Sequence, residues 1–224
     1  MAIAIFGIGT LAKLAHYYIT KDMKQKVSAF VIDKDKNQGN KSSTFQEIPI
    51  LFWDEFINSH NNDEYKMFIA VAYKRMRNRL EVFERVKSYN YSLLNIVSSS
   101  SFVSEDSIQG ENNFIMPGAV LEPGSKIGSN NLIWSNSTIC HDSQIGNHNF
   151  FGANFTMGGR SRVGDLCFFG FSSTITDNIQ VNNEVILAAN SFLNKDAKSL
   201  SRYQGVPAKK YSRIEEKKGI IFFN

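Results

Sequence analysis

Two cysteines in 224 residues, Cys140 and Cys167, are too few for a disulfide framework, and neither a CxxC nor an HExxH spacing occurs. A disulfide-built secreted domain is thereby excluded, no metal is expected, and a reducing cytoplasm is the expected compartment. Long apolar runs are equally scarce. The opening MAIAIFGIGTLAKLAHYYI is interrupted by GIG, Lys13 and His16 and lacks a basic leading segment, so it reads as strand, turn and helix rather than signal peptide or membrane span. Strong charge of one sign is missing too: 25 Lys+Arg against 21 Asp+Glu leave +4, spread along the chain. So mild an excess suits small anionic ligands such as phosphates and does not suggest nucleic acid. With 42% hydrophobic residues the chain can bury a core without crosslinks, as one large or two small domains.

What is present changes texture near residue 95. Before it, strand-like runs (Ile3 to Phe6, Val27 to Ile32, Met67 to Ala72) alternate with helical patterns at Leu11 to Ile19, Trp53 to Asn58 and about Lys74 to Ser88. A polar loop is expected from Lys34 to Thr44, with Pro49 as further punctuation. This alternation predicts a small parallel α/β sheet of Rossmann-like type.

After residue 95 the period is six. Stepping from Val97 meets Val103, Ile115, Leu121, Ile127, Ile133, Ile139, Ile145, Phe151, Met157, Val163, Phe169, Ile175, Val181, Leu187 and Leu193; only Gln109 fails, and Ile108 flanks it. Four residues after most of these stands a small one, such as Ser107, Ala119, Ser137, Ser143, Ser161, Cys167 or Ser173. Helices repeat near 3.6 and ordinary strands at two, so neither explains a period of six. A parallel β-helix does. Six residues form one flat side and its corner, about 18 form a coil, and coils stack about 4.8 Å apart. The apolar residue points inward, and the small one is expected to ease the corner. Outward aromatics (Phe150, Phe155, Phe168, Phe171) predict a patch that a partner covers.

Some residues suggest chemistry on their own. Gly7-Ile8-Gly9 between strand and helix permits phosphate to approach a helix N-terminus, although Ala12 replaces the third glycine of a dinucleotide fingerprint. Asp33 ends the second strand, where a carboxylate often meets a ribose or base. His141-Asp142 pairs a residue suited to general-base work with a carboxylate able to fix its tautomer, provided that a corner at 141–142 turns both to one side. One coil on lies Gly159, whose backbone N–H is a candidate oxyanion donor. His148 takes a polar corner position and is expected to face solvent.

The combination of FGIGTLAK, the long hexapeptide run, HDSQIG and GVPAKKY resembles the left-handed β-helix sugar acyltransferases of the bacillosamine N-acetyltransferase and NeuD type. The resemblance extends from residue 2 to about 212 and supplies the handedness, which spacing cannot. It implies domains at 1–94 (nucleotide-sugar binding), 95–212 (β-helix with a coenzyme A-binding terminal loop) and a C-terminal tail at 213–224. It implies acetyl-CoA-dependent N-acetylation of a UDP- or dTDP-linked amino-deoxysugar by a cytoplasmic homotrimer, in bacterial surface-glycan (O-antigen) synthesis. Neither metal nor covalent acyl-enzyme is implied. His141 occupies the family's base position, and the second histidine that some relatives carry nine residues on is Phe150 here. Phe171, Ala188 and Ala189 are similar to the ledge under the pantetheine arm, with Lys209 and Lys210 near the coenzyme's phosphates. Thr10 and Tyr73 join Gly7, Gly9 and Asp33 in the resembling nucleotide site. Sugar O-acetylation of the sialic-acid type, or a non-catalytic sugar-binding β-helix, are the rival readings.

Overall fold

The computed structural model describes residues 1–34 and 43–222. The chain divides into two compact units, Met1–Ala72 with Asn78–Ile96, and Tyr73–Arg77 with the chain from Val97 onward.

The first unit is built on β1 (Ala2–Phe6), β2 (Val27–Ile32), β3 (Thr44–Phe45), β4 (Ile48–Phe52), β5 (Tyr65–Ile69) and β6 (Ser92–Leu93), in the spatial order β3-β4-β2-β1-β5-β6. Only β3 with β4 is antiparallel. The apolar runs of β1, β2 and β5 are buried on both faces, as parallel strands between helices must be. The helices are α1 (Thr10–Tyr17), prolonged by a π turn over Tyr18–Asp22, α2 (Trp53–Ser59) and α3 (Met76–Ser88). Pro49, read as punctuation, lies inside β4. It precedes the stretch Ile50 to Phe52 that pairs with β2, so no ladder donor is lost there. Most of the loop expected from Lys34 to Thr44 lies outside the described residues.

The second unit is a left-handed parallel β-helix. Its three sides carry the registers Leu121↔Ile139↔Met157↔Ile175, Ile127↔Ile145↔Val163↔Val181 and Ile115↔Ile133↔Phe151↔Phe169. These side chains form one continuous buried core. At Gln109 the slot is filled by its neighbour, since Ile108 bridges Ile127.

The corners are made differently from the expectation. The turn is taken by the residue three after each apolar one, which adopts the left-handed conformation: Asp106, Asn112, Asn130, Asn136, Asp142, His148, Asn154, Arg160 and Asn178 all have φ between 56 and 63°. Most are Asn or Asp, the residues that tolerate this region best. The small residue that follows is interior, and its side chain caps a backbone carbonyl of the next coil. Ser143 Oγ donates to Gly158 O at 3.1 Å and Ser161 Oγ to Thr176 O at 2.9 Å. Asn131 and Asn149 do likewise toward Gly146 and Gly164, at 3.0 Å each.

Several outward assignments change accordingly. Phe155 occupies the interior small-residue slot and is fully buried between Phe151 and Phe169. Phe150 is buried against Tyr73, Trp134 and Phe168. His148 is buried rather than solvent-facing, with Nδ1 2.9 Å from Asn130 Nδ2. Phe171 remains 53% exposed, as expected.

Beyond the coils, Ser201–Gly205 and Ala208–Arg213 form an antiparallel hairpin. The segment expected as a tail from 213 is packed. Ile214 and Ile220 are buried, and the Met76 N–H donates to Ile220 O at 3.1 Å. No helix among the described residues is long and apolar enough to cross a membrane.

Phe155 fills a slot that serine holds elsewhere, so Phe155→Ala leaves a cavity that the stacked coils cannot close. It should cost about 3–5 kcal/mol of stability, read as a lowered midpoint in urea unfolding with an unchanged slope.

Candidate active site

His141 and Asp142 stand at the corner that ends the first side of the β-helix. Successive strand residues point to opposite faces, but Asp142 has φ 58° and the chain turns there. His141 Nδ1 and Asp142 Oδ2 consequently lie 2.9 Å apart. The carboxylate can only accept, so Nδ1 carries the proton and the lone pair of the neutral ring sits on Nε2. The imidazole is 49% exposed and open to a substrate.

Two glycines make room for this pair. A Cβ at Gly159 would lie 2.7 Å from His141 Nε2, and one at Gly124 would lie 2.4 Å from Asp142 Oδ1. Any side chain at either place would displace the ring or the carboxylate. The backbone N–H of Gly159, expected to serve an oxyanion, donates instead to Asp177 Oδ1 at 3.1 Å. That N–H already has a charged acceptor, so the part of Gly159 is to leave space for the ring.

The neighbouring corner shows why residue 141 is free for chemistry. There Asn147 Oδ1 caps the N–H of Ser129, Asp165 Oδ1 that of Asn147, and Asn183 Oδ1 that of Asp165, at 2.6–2.9 Å. A side chain at position 141 would cap residue 123 in the same way, but Pro123 has no N–H. Nothing in the ladder calls on His141. Its own N–H donates to Glu122 Oε2 at 2.8 Å.

Glu122, Pro123, Gly124, Asp177 and Arg160 were not foreseen, yet all fall out of the repeat arithmetic. Stepping one coil back as well as forward from His141 and Asp142, and on to Asp177, reaches every one of them except Glu122, which lies one coil before Cys140.

Cys140 stands beside the candidate base, half-buried. Burial, then the nearby carboxylates of Glu122 and Asp177, push its thiol above the ordinary range. Cys167 is inside the prism, and burial pushes it up to about 12. Neither environment favours the thiolate that a nucleophile needs. Among the described residues, no three His, Cys, Asp or Glu side chains gather as a metal group.

Phe171, Ala188 and Ala189 lie at the corner that precedes the first side, one corner away from His141. The three are partly or fully exposed. Lys209 and Lys210 are exposed on the second strand of the hairpin. As strand neighbours they project to opposite faces, so only one can meet a given phosphate.

In the first unit, Gly7 has φ +117° and a Cβ there would lie 3.2 Å from Ala70 O, just past the carboxyl ends of the paired β1 and β5. Nothing approaches the Cβ position of Gly9, which precedes α1, and Thr10 is exposed. The strand order reverses at β1, the usual crevice for ligands in such sheets. Asp33 is not a vacant acceptor. Arg85 grips it through both Nη atoms at 3.0 and 3.1 Å, while its guanidinium lies over Phe6 and Trp53, 5.2 Å from each ring centre. Tyr73, expected beside Thr10 and Asp33, belongs to the second unit, its ring 4.3 Å from that of Phe150.

Residues 110–141 and 124–159 match the bacterial transferase hexapeptide family (six repeats). The chain resembles PerB from Caulobacter crescentus, solved with CoA and GDP-perosamine, with a TM-score of 0.83 and 22% identity over 95% of this chain and 98% of that one. It resembles the acetyltransferase domain of PglB from Neisseria gonorrhoeae FA1090 with a TM-score of 0.81 and 18% identity, over 94% and 99%. WeeI from Acinetobacter baumannii AYE gives 0.75 and 19%, over 94% and 100%. No curated protein matches the sequence. The likeness to solved structures spans both units and establishes the fold.

The raised Cys140 thiol should alkylate with iodoacetamide at pH 7.5 more slowly than free cysteine, and Glu122→Gln should speed it. Mass spectrometry of the labelled peptide reads the rate.

Proposed function

We propose that this hexapeptide-repeat chain is a cytoplasmic, acetyl-CoA-dependent N-acetyltransferase of a nucleotide-linked amino-deoxysugar, serving bacterial surface-glycan synthesis. The carrying observation is the His141–Asp142 pair at 2.9 Å, seated between two glycines that exclude side chains from it. PerB and PglB, with which the chain shares its fold, have been solved with CoA and GDP-perosamine and with acetyl-CoA. These ligands agree with an amine acceptor and a thioester donor here.

In the proposed reaction the neutral amine attacks the thioester carbonyl directly. His141 Nε2 takes the proton that the nitrogen sheds, and Asp142 stabilises the imidazolium. The C–S bond breaks, and the departing sulfur recovers that proton, so that coenzyme A leaves as the free thiol. Gly159 holds the space above the ring. Phe171, Ala188 and Ala189 bear the pantetheine arm, Lys209 meets a coenzyme phosphate, and Cys140 takes no covalent part.

In the first unit, Gly7, Gly9 and Thr10 would receive a phosphate of the nucleotide at the start of α1. Asp33, steadied by Arg85, would meet the ribose or base. Tyr73, packed against Phe150 in the second unit, is left out of this site.

The assembly proposed is a homotrimer. The outward residues of the second side are Lys126, Gln144, Arg162 and Gln180, all exposed, and those of the third side, such as Phe114, Leu132 and Phe150, are already buried. The first side presents Phe102, Val120, Thr138, Thr156, Thr174 and Phe192, uncharged and flat. Both the His141 corner and the Phe171–Ala189 corner flank this side. A second copy packed there would bring one chain's base to the other chain's ledge, forming the coenzyme groove. Light scattering should return three times the chain mass, and Thr156→Arg should reduce it to one; a wild-type monomer at assay concentration would refute the assembly.

GDP-, UDP- and dTDP-amino sugars offered with acetyl-CoA should release thiol, and His141→Asn should lower kcat roughly 10²–10⁴-fold with coenzyme A affinity little changed. Cys140→Ala should leave kcat within about threefold of wild type. Turnover with free sialic acid alone would replace this reading by O-acetylation.

A further inference from the structure

The left-handed corners hold one residue whose conformation neither packing nor composition explains. Asn, Asp and Gly fill most of these positions. Of the others, Leu166, His148 and Glu184 are buried, Leu200 is apolar and partly buried, and Ser172 is small. Arg160 has φ 56°, is exposed, and carries a long side chain in a backbone region that disfavours it.

Its place is directly above the candidate base pair. Arg160 stands one coil beyond Asp142, about 4.8 Å along the stack. Its backbone N–H donates to His141 O at 3.0 Å, tying the two residues' positions together. Its Nε donates to Asn178 Oδ1 at 3.1 Å, which orients the guanidinium plane and leaves both Nη groups as donors. Gly159, the residue before it, adds no side chain to obstruct them.

We propose that Arg160 is a phosphate-binding residue of the catalytic corner, holding a diphosphate oxygen of one substrate while the reacting group meets His141 Nε2. The proposal rests on the functional reading above. In that reading both substrates carry a diphosphate, the shared chemistry that a guanidinium fork recognises through two parallel N–H groups. A cation at this exposed corner also serves a site otherwise edged by Glu122, Asp142 and Asp177, which would repel both substrates' phosphates. Asn178 is then a positioning residue that presents the fork.

The informative variant is Arg160→Asn, because asparagine suits a left-handed corner better than arginine and should keep the melting temperature at or above that of wild type. Calorimetric titration of the full-length protein with coenzyme A and, separately, with GDP, UDP and dTDP reads binding without turnover. We expect Arg160→Asn to weaken one of these two ligand classes at least about tenfold and leave the other unchanged, with Arg160→Lys in between. The weakened class identifies the substrate whose phosphate is held. The same substrate's KM should rise, with kcat within about threefold. Unchanged affinity for both classes in a folded Arg160→Asn protein overturns the role of Arg160 alone. A wild-type protein that binds neither class overturns this role together with the functional reading on which it rests.

Discussion

Parallel pairing at a spacing of 18 residues governs the second unit. Each two-residue strand has its ladder partners one coil before and one coil after, so a residue's surroundings are set by the residues 18 places away. Two-residue strands are too short to be stable alone. They persist because the stack buries a column of apolar side chains and because each corner satisfies its own polar groups. The interior serines and asparagines cap carbonyls, and the side chains at the second corner cap N–H groups. Slipping a coil by one residue would break all three kinds of contact together.

The same constraint creates the candidate site by exceptions to itself. Proline at 123 withdraws the N–H that residue 141 would have capped. Glycines at 124 and 159 withdraw the side chains that would have filled the space of the carboxylate and the ring. The left-handed turn at Asp142 then brings the pair to one side. The scaffold is left intact around these substitutions, so the candidate base is held by a rigid stack rather than by a loop.

The first unit follows different physics. Its parallel strands need helices on both faces, and its open α1 terminus lies where the strand order reverses. Asp33 shows how a motif residue can acquire a second commitment. Its carboxylate is gripped by Arg85, which in turn rests against two aromatic rings. Asp33→Asn and Asp33→Ala would thus disturb a half-buried arginine as well as any ligand.

Much was legible in the chain alone because a stacked coil converts sequence distance directly into spatial neighbourhood. The period of six located every side of the prism, and a step of 18 placed Gly159 above His141. The α/β texture of the first 90 or so residues announced a parallel sheet. Other features were decided only in three dimensions. That Tyr73 packs with Phe150 depends on a neighbour outside the repeat's own register, and the burial of Phe155 and His148 depends on which side chains that register stacks around them. The grip of Arg85 on Asp33 likewise joins residues that no repeat relates, and the engagement of the Gly159 N–H by Asp177, one coil on, was settled only by the side chain's geometry. Periodicity specifies where a backbone returns, whereas the partner a donor or ring selects is settled by which groups converge once the chain has closed on itself.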